Sequence, residues 1–289
     1  MSPPISDTHA WSDRLSRLFG GVRLVRIGEN ALWHAPDRGL AVRLYRHAGR
    51  ARPKAARELS VARILCRAGV PAIRPARDEA IEIDGRTATL WTWVSGTDAQ
   101  VDPLAFGRLL RAAHEAWRDA GGHDDAWPYL DPIAKIGARI EALSALDEAP
   151  LLDARLGRAR ALWEGFVSAS PLQIVHGDAH SGNVIVTRDG PVLADFDETK
   201  IGPVEWDLVS MTVGHHRFGR PRAHLDAFAR GLGATPAHLE GAGALAPVKE
   251  LSALSWLGIR ALEDVMAHAE LRRRLGLSQE GLAATWRAI

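Results

Sequence analysis

Runs rich in aliphatic and aromatic residues extend from Val22 to Ile27, from Ala31 to Ala35 and from Leu40 to Tyr45, and Pro36-Asp37-Arg38-Gly39 separates the last two runs. This pattern predicts three antiparallel strands. Ala80 to Ile83 and Arg86 to Trp93 flank Asp84-Gly85, a two-residue signal for a tight hairpin. The periodicity is helical elsewhere. Trp11, Leu15, Leu18 and Phe19 form a stripe over Asp7 to Phe19 ahead of Gly20-Gly21, and Val61, Leu65 and Ala68 form another in a helix that Pro53 opens and Gly69 closes. Beyond Asp102-Pro103 helices are predicted at about 103–120, 132–146, 151–169, 206–215, 222–231 and 246–269, with a last one from Ser278. One further hairpin interrupts them, where Val184 to Val186 and Val192 to Ala194 flank the turn residues Asp189, Gly190 and Pro191. The class is therefore α+β, a small antiparallel sheet with one helix followed by a larger, mainly helical part that carries a hairpin.

Composition narrows the function classes. The 289 residues are 46% hydrophobic, enough for a sizeable core, and 36 Lys and Arg against 35 Asp and Glu leave a formal charge of +1. No overall electrostatic attraction to nucleic acid or to a membrane follows, and no apolar run approaches the length of a membrane span. The amphipathic first helix carries both signs of charge on its polar face, so packing on the following domain is expected of it. The single cysteine, Cys66, lies in an apolar helical pattern and fits a reducing compartment, and the chain starts without signal-peptide character. A cytoplasmic protein is expected.

The chemistry is concentrated in Ile174 to Asp197. A polar loop, His176-Gly-Asp178-Ala-His180-Ser-Gly-Asn183, precedes the hairpin, and Asp195-Phe-Asp197 follows it. Asp178 and Asn183 are thereby fixed against Asp195, a set of hard oxygen donors with a carboxylate able to accept a proton. These residues resemble the catalytic loop and metal-binding motif of the aminoglycoside phosphotransferase and choline kinase-like family, whose members have the protein-kinase-like fold and phosphorylate small molecules. The resemblance implies a bilobal molecule that uses Mg²⁺ and takes ATP or GTP as phosphoryl donor. It makes Asp178 the base for the acceptor hydroxyl and Asn183 and Asp195 the metal ligands. His176 and His180 become loop supports, and Asp207, in Trp206-Asp207-Leu208, helps to hold the catalytic loop.

The resemblance extends from about Val22 and assigns the nucleotide-binding residues less specifically. It divides the chain into a nucleotide-binding lobe, 1–94, and a catalytic and substrate-binding lobe, 95–289. Gly28-Glu29-Asn30 lies where a loop covers the phosphates, so Gly28 and Asn30 are candidates for nucleotide contact. Arg43 shares a strand face with Ala41 and Tyr45, where the kinase template usually has Lys. Its expected partner is Glu58, with Arg57 or Arg63 as the local alternatives for Glu58, and Arg46 and Lys54 as the alternatives for Arg43. Val94-Ser95-Gly96-Thr97 reads as the hinge, with Trp91, Trp93 and Val94 lining the base pocket.

Within the resemblance a small-molecule hydroxyl is the expected acceptor, because the chain between Asp197 and Trp206 is shorter than the peptide-docking segment of a protein kinase. An aminoglycoside-like antibiotic is the family's foremost suggestion, with choline, an amino sugar or another metabolite as the alternative. A polycation would use Asp197, Glu198, Glu205, Glu263 or Asp264, whereas Arg272 to Arg274 would oppose it. Trp206 or Trp256 could stack on a sugar or cage a quaternary ammonium. Two readings from other classes remain, a catalytically silent nucleotide-binding regulator and a zinc metallohydrolase built on His176-Gly-Asp178-Ala-His180.

Overall fold

The structure is a computed structural model and describes residues 7–28, 30–46, 48–121, 127–277 and 285–287. In chain order it runs α1 (Thr8–Phe19), β1 (Arg23–Ile27), β2 (Asn30–Ala35), β3 (Leu40–Tyr45), α2 (Ala48–Arg67), β4 (Ile81–Ile83), β5 (Arg86–Thr92), α3 (Pro103–Asp119), α4 (Pro132–Ala142) and α5 (Ala149–Ala169). It continues with β6 (Gln173–Val175), β7 (Val184–Thr187), β8 (Gly190–Leu193), β9 (Lys200–Gly202), α6 (Glu205–Phe218), α7 (Arg222–Leu232), α8 (Pro236–Ala261) and α9 (Val265–Leu277). The helix expected from Ser278 falls outside the described residues. Two compact units result. One comprises 1–101, 115–120 and 182–199, the other 102–114, 121–181 and 200–289. The division drawn from sequence after Val94 assigns the hairpin of 184–194 to the second part, whereas here it clusters with the first.

The first unit is built on an antiparallel five-stranded sheet of order β1-β2-β3-β5-β4. Alternation along β3 sorts its side chains: Val42 and Leu44 join Trp11 and Leu15 of α1, Ala31 and Trp33 of β2 and Leu90 of β5 in one core, while Tyr45 packs with Ala51 and Ala55 of α2. Trp33 donates its indole N–H to Ser12 Oγ at 3.0 Å, which anchors α1 to the sheet. Asp84 and Gly85 both have positive φ, as the tight turn between β4 and β5 demands. The β7–β8 hairpin joins this unit through backbone: Ile73 N donates to Leu193 O and Leu193 N to Pro71 O, each at 2.9 Å, and Thr97 N donates to Val186 O at 2.7 Å.

The second unit packs helices around α8 and adds the short antiparallel pair β6–β9. Two helix boundaries differ from the periodicity. Helix α2 begins at Ala48, so Pro53 lies inside it and not at its start, at the cost of a backbone donor near the first turn. Helix α8 begins at Pro236, where Thr235 and His238 cap each other reciprocally, and it continues through Pro247. The stretch expected as one helix to Ala269 is broken after Ala261, and Asp264 caps α9 by accepting from Met266 N and Ala267 N at 2.9 and 3.1 Å. The segment 285–287 is pinned by Glu270, whose carboxylate accepts from Arg273, Arg274 and the backbone N–H of Arg287.

Helices α3 and α7 cross at two glycines. A Cβ at Gly107 would lie 2.2 Å from Phe228 O, and one at Gly231 would lie 2.3 Å from Leu104 O, so neither backbone tolerates a side chain. Gly107→Ala is expected to lower the thermal midpoint, by an overpacking cost of roughly 1–3 kcal/mol or more, as read by calorimetry. Burial works to raise the pKa of Glu270, but its arginine and backbone donors more than offset this and hold it at about 2. A depressed carboxylate pKa contributes stability that is present above its unfolded value and lost as pH falls through the folded one. Acid titration of wild type against Glu270→Gln should therefore show a stabilising difference at neutral pH that disappears between about pH 4.5 and pH 2.

Candidate active site

Register in the β7–β8 hairpin places the first donors. Val184 pairs with Leu193, and the next rung is Ala194 N donating to Asn183 O at 2.9 Å, so Asn183 and Asp195 leave the hairpin on adjacent rungs. Asp195 has φ +66, a left-handed conformation that an L-residue outside a tight turn rarely adopts. Such strain is retained where surrounding structure over-determines it, commonly at functional sites. Asn183 is buried, while the Asp195 side chain is 20% exposed.

Arg43 is the centre of the first unit's charged cluster. Its Nη1 lies 2.6 Å from Glu58 Oε1 and 2.9 Å from Asp195 Oδ1, and its Nη2 lies 2.8 Å from Asp197 Oδ2. One guanidinium thus bridges a strand, a helix and the end of the hairpin. The planar fork of Arg, with five donors, can do this where a Lys ammonium presents a single point. Arg26 Nη2 contacts the other oxygen of Asp195 at 2.9 Å, and Lys54 contacts Asp197 at 3.0 Å and Glu198 at 3.7 Å. Tyr45 donates its hydroxyl to Glu58. Burial pushes Glu58 up, to about 7, against the pull of Arg43, and burial likewise raises Asp197 despite Arg43. Arg63, an alternative partner for Glu58, instead bonds to the Asp78 carbonyl at 2.6 Å.

The donor chemistry suits a hard divalent cation. An amide oxygen and a carboxylate sit on adjacent rungs, and both Asp195 oxygens are met by guanidinium groups, so the position stabilises positive charge. Mg²⁺ commonly takes one or two protein carboxylates and completes its shell with water and phosphate. Asn183 and Asp195 fit it.

Within the second unit, side chains of α6 hold the backbone of the preceding loop at His176 and Gly177. The buried Asp207 accepts from His176 N at 2.8 Å and Gly177 N at 2.9 Å, and its Oδ2 lies 2.8 Å from His114 Nε2. Although burial alone would raise its pKa, His114 and the loop amides bring it below the ordinary carboxylate range. Trp206 is buried and donates its indole N–H to Gly177 O at 2.9 Å. His176 is fully buried, and its Nδ1 accepts from Asp178 N at 3.4 Å. Asp178 itself lies 3.1 Å from Lys249 Nζ and 3.4 Å from His180 Nε2. Burial acts to raise Asp178, but Lys249 and His180 outweigh it and hold the carboxyl well below its usual range.

The other expected residues are distributed as follows. Gly28 donates its N–H to Asn30 O at 2.9 Å, and the Asn30 amide reaches Asp197 at 3.5 Å. Trp91 is buried and bonds to Thr89, Trp93 stacks on His34 at 3.7 Å, and Val94 is half-buried. Glu205 is buried against Gly241 and Phe166, Asp264 pairs with Arg260, and Arg260 covers the ring of Trp256. Among the described residues, no group of three or more His, Cys, Asp and Glu is gathered to hold a metal ion. Sequence reasoning missed Lys249, Arg26, Tyr45 and His114. Lys249 and His114 lie on helices remote in the chain from their partners Asp178 and Asp207, and no local motif marks them.

A family model described as the phosphotransferase enzyme family matches residues 28–251. No curated protein matches the chain. Among solved structures, amicoumacin kinase in complex with AMP-PNP, Ca²⁺ and Ami is 13% identical with a TM-score of 0.71, covering 92% of this chain and 90% of that one. A choline/ethanolamine kinase family protein from Mesorhizobium loti is 17% identical with a TM-score of 0.64, covering 94% of each chain. The GDP and kanamycin complex of APH(2")-IIia is 15% identical with a TM-score of 0.64, covering 94% and 98%. At these identities the structures establish the protein-kinase-like fold, and the family match over most of its length establishes that the chain belongs to the phosphotransferase enzyme family.

Proposed function

We propose that the protein transfers the γ-phosphoryl group of ATP or GTP to a hydroxyl of a small molecule, in the cytoplasm. The observation that carries this reading is the Arg43 cluster, in which one guanidinium joins Glu58 to the two acids of Asp195-Phe-Asp197. Neighbouring folds with AMP-PNP or GDP support a nucleotide donor. Residues 1–94 serve mainly the nucleotide, with Arg43 directed to phosphate oxygens, Gly28 and Asn30 in the covering loop, and the backbone around Trp91, Trp93 and Val94 facing the base. Residues 95–289 supply the acceptor side. Asn183 and Asp195 would hold Mg²⁺, which when bound neutralises charge on the phosphate oxygens. Asp178, ionised at neutral pH, orients the acceptor hydroxyl and takes its proton. Asp207, His176 and Trp206 keep the backbone of that loop in place.

An aminoglycoside-like antibiotic is supported as acceptor by the kanamycin complex of one neighbour. A second reading, a metabolite such as choline or an amino sugar, or another small molecule with fewer positive charges, is favoured by the ion pairs. Of the carboxylates expected to hold a polycation, Asp197 and Glu198 are engaged by Arg43 and Lys54, and Asp264 is engaged by Arg260. A neighbour of the choline/ethanolamine kinase family has the same fold.

Asp178→Asn is expected to lower transfer by about 10²–10⁴-fold while leaving nucleotide affinity intact, whereas Asp195→Ala should also weaken Mg²⁺-dependent nucleotide binding. Equal loss of nucleotide affinity in both variants would refute this division of roles. The assay is Mg²⁺-dependent ADP and GDP release with kanamycin, other antibiotics, amino sugars, choline and homoserine, and Asp178→Asn as the blank. Nucleotide binding with no turnover on any acceptor would favour the silent regulator, and copurified zinc without nucleotide binding would favour the metallohydrolase.

A further inference from the structure

Lys249 lies on α8, 71 residues beyond Asp178 in the chain, and its Nζ is 3.1 Å from Asp178 Oδ1. The ammonium also sits 5.3 Å from the centre of the Trp206 ring, whose N–H is bonded to Gly177 O. The same indole therefore braces both the backbone of the loop and the cation that meets its carboxylate. Lys249 is 17% exposed although Asp178 is 41% exposed, so the lysine is the fixed member and the carboxylate the accessible one. An exposed ion pair contributes little to stability. Building this one on a buried tryptophan is an arrangement that stability alone does not require.

We propose that Lys249 is a positioning residue for phosphoryl transfer: it fixes the Asp178 carboxylate in one orientation and in its ionised form, ready for the acceptor hydroxyl. This rests on the kinase reading above, and within it Lys249 acts through Asp178. An ion pair makes Asp178 a weaker base, but a loose phosphoryl-transfer transition state gains more from placement of the hydroxyl than from base strength. The titratable and charged groups around the carboxylate are consistent with that role. Lys249 comes from α8, and His180 and His176 come from its own loop. Asp207 of α6 is committed to His114 and the loop amides, and Trp206 of the same helix is uncharged. A cation on α8 is thus the permanent positive charge at this carboxylate among these groups.

The test follows Asp178 directly by carbon-detected NMR of protein labelled at the aspartate carboxyl, with Asp178→Asn identifying the resonance. In wild type the resonance should titrate below the ordinary aspartate range. In Lys249→Met its midpoint should rise by about one unit or more, and Lys249→Arg should restore most of the shift. ADP release from MgATP, with water or an acceptor from the panel above, should have its acid limb moved upward by the same amount, with kcat reduced roughly tenfold at pH 7 and the KM for ATP unchanged. An unaltered Asp178 titration in Lys249→Met, or in Lys249→Gln if the former fails to fold, overturns the proposal. So does a shifted titration with unchanged kcat and acid limb. Failure of the kinase reading would look different, as wild type and Asp178→Asn would release ADP at the same rate whatever the titration shows.

Discussion

Placing Glu58, Asp195 and Asp197 near one another sets the main electrostatic constraint on the first unit, and Arg43 answers it. Glu58 is fully buried, and an uncompensated carboxylate there would be strongly disfavoured. Loss of one member of a buried ion pair typically costs about 3–5 kcal/mol because its partner is left without compensation. The three carboxylates belong to a helix and to the end of a hairpin, while Arg43 belongs to a sheet strand. Their common cation therefore ties those elements together as well as setting charge. Tyr45, two residues along the same strand face, adds a hydroxyl to Glu58. Period-two alternation is what brings both groups to that surface.

Much of this was legible locally. The strands and the Asp84-Gly85 turn follow from strand-forming runs and turn residues, whereas the Arg43–Glu58 pairing is what the family resemblance implies. The β7–β8 hairpin was equally legible, and its register explains the adjacency of Asn183 and Asp195. What the hairpin's sequence did not disclose was its attachment. Backbone bonds to Pro71, Ile73 and Thr97 group it with the first unit, and main-chain pairing leaves little trace in side-chain identity.

Pro53 misled at one helix start because Pro at the first position and Pro inside a helix produce the same local signal. Packing decides between them. In α8 the Thr235–His238 capping box supplies the true start, and the residues through Pro247 to Ala261 present a buried stripe that retains the helix despite a missing donor. Lys249 is part of that stripe's polar margin. Nothing in its neighbours distinguishes it from any solvated lysine, and its role emerges only when folding brings α8 to the loop bearing Asp178.

The two units treat charge differently, and the difference matches the work proposed for each. In the first, Glu58, Asp195, Asp197 and Glu198 face Arg43, Arg26 and Lys54, four carboxylates to three cations. That cluster can accept a further cation at the expense of an existing guanidinium contact on Asp195. In the second, the accessible carboxylate of Asp178 carries the ammonium of Lys249, so it presents little net charge while remaining ionised. A metal site gains from surplus negative charge. A carboxylate that must receive a hydroxyl gains from being held still and kept unprotonated, and a fixed lysine on a neighbouring helix supplies both.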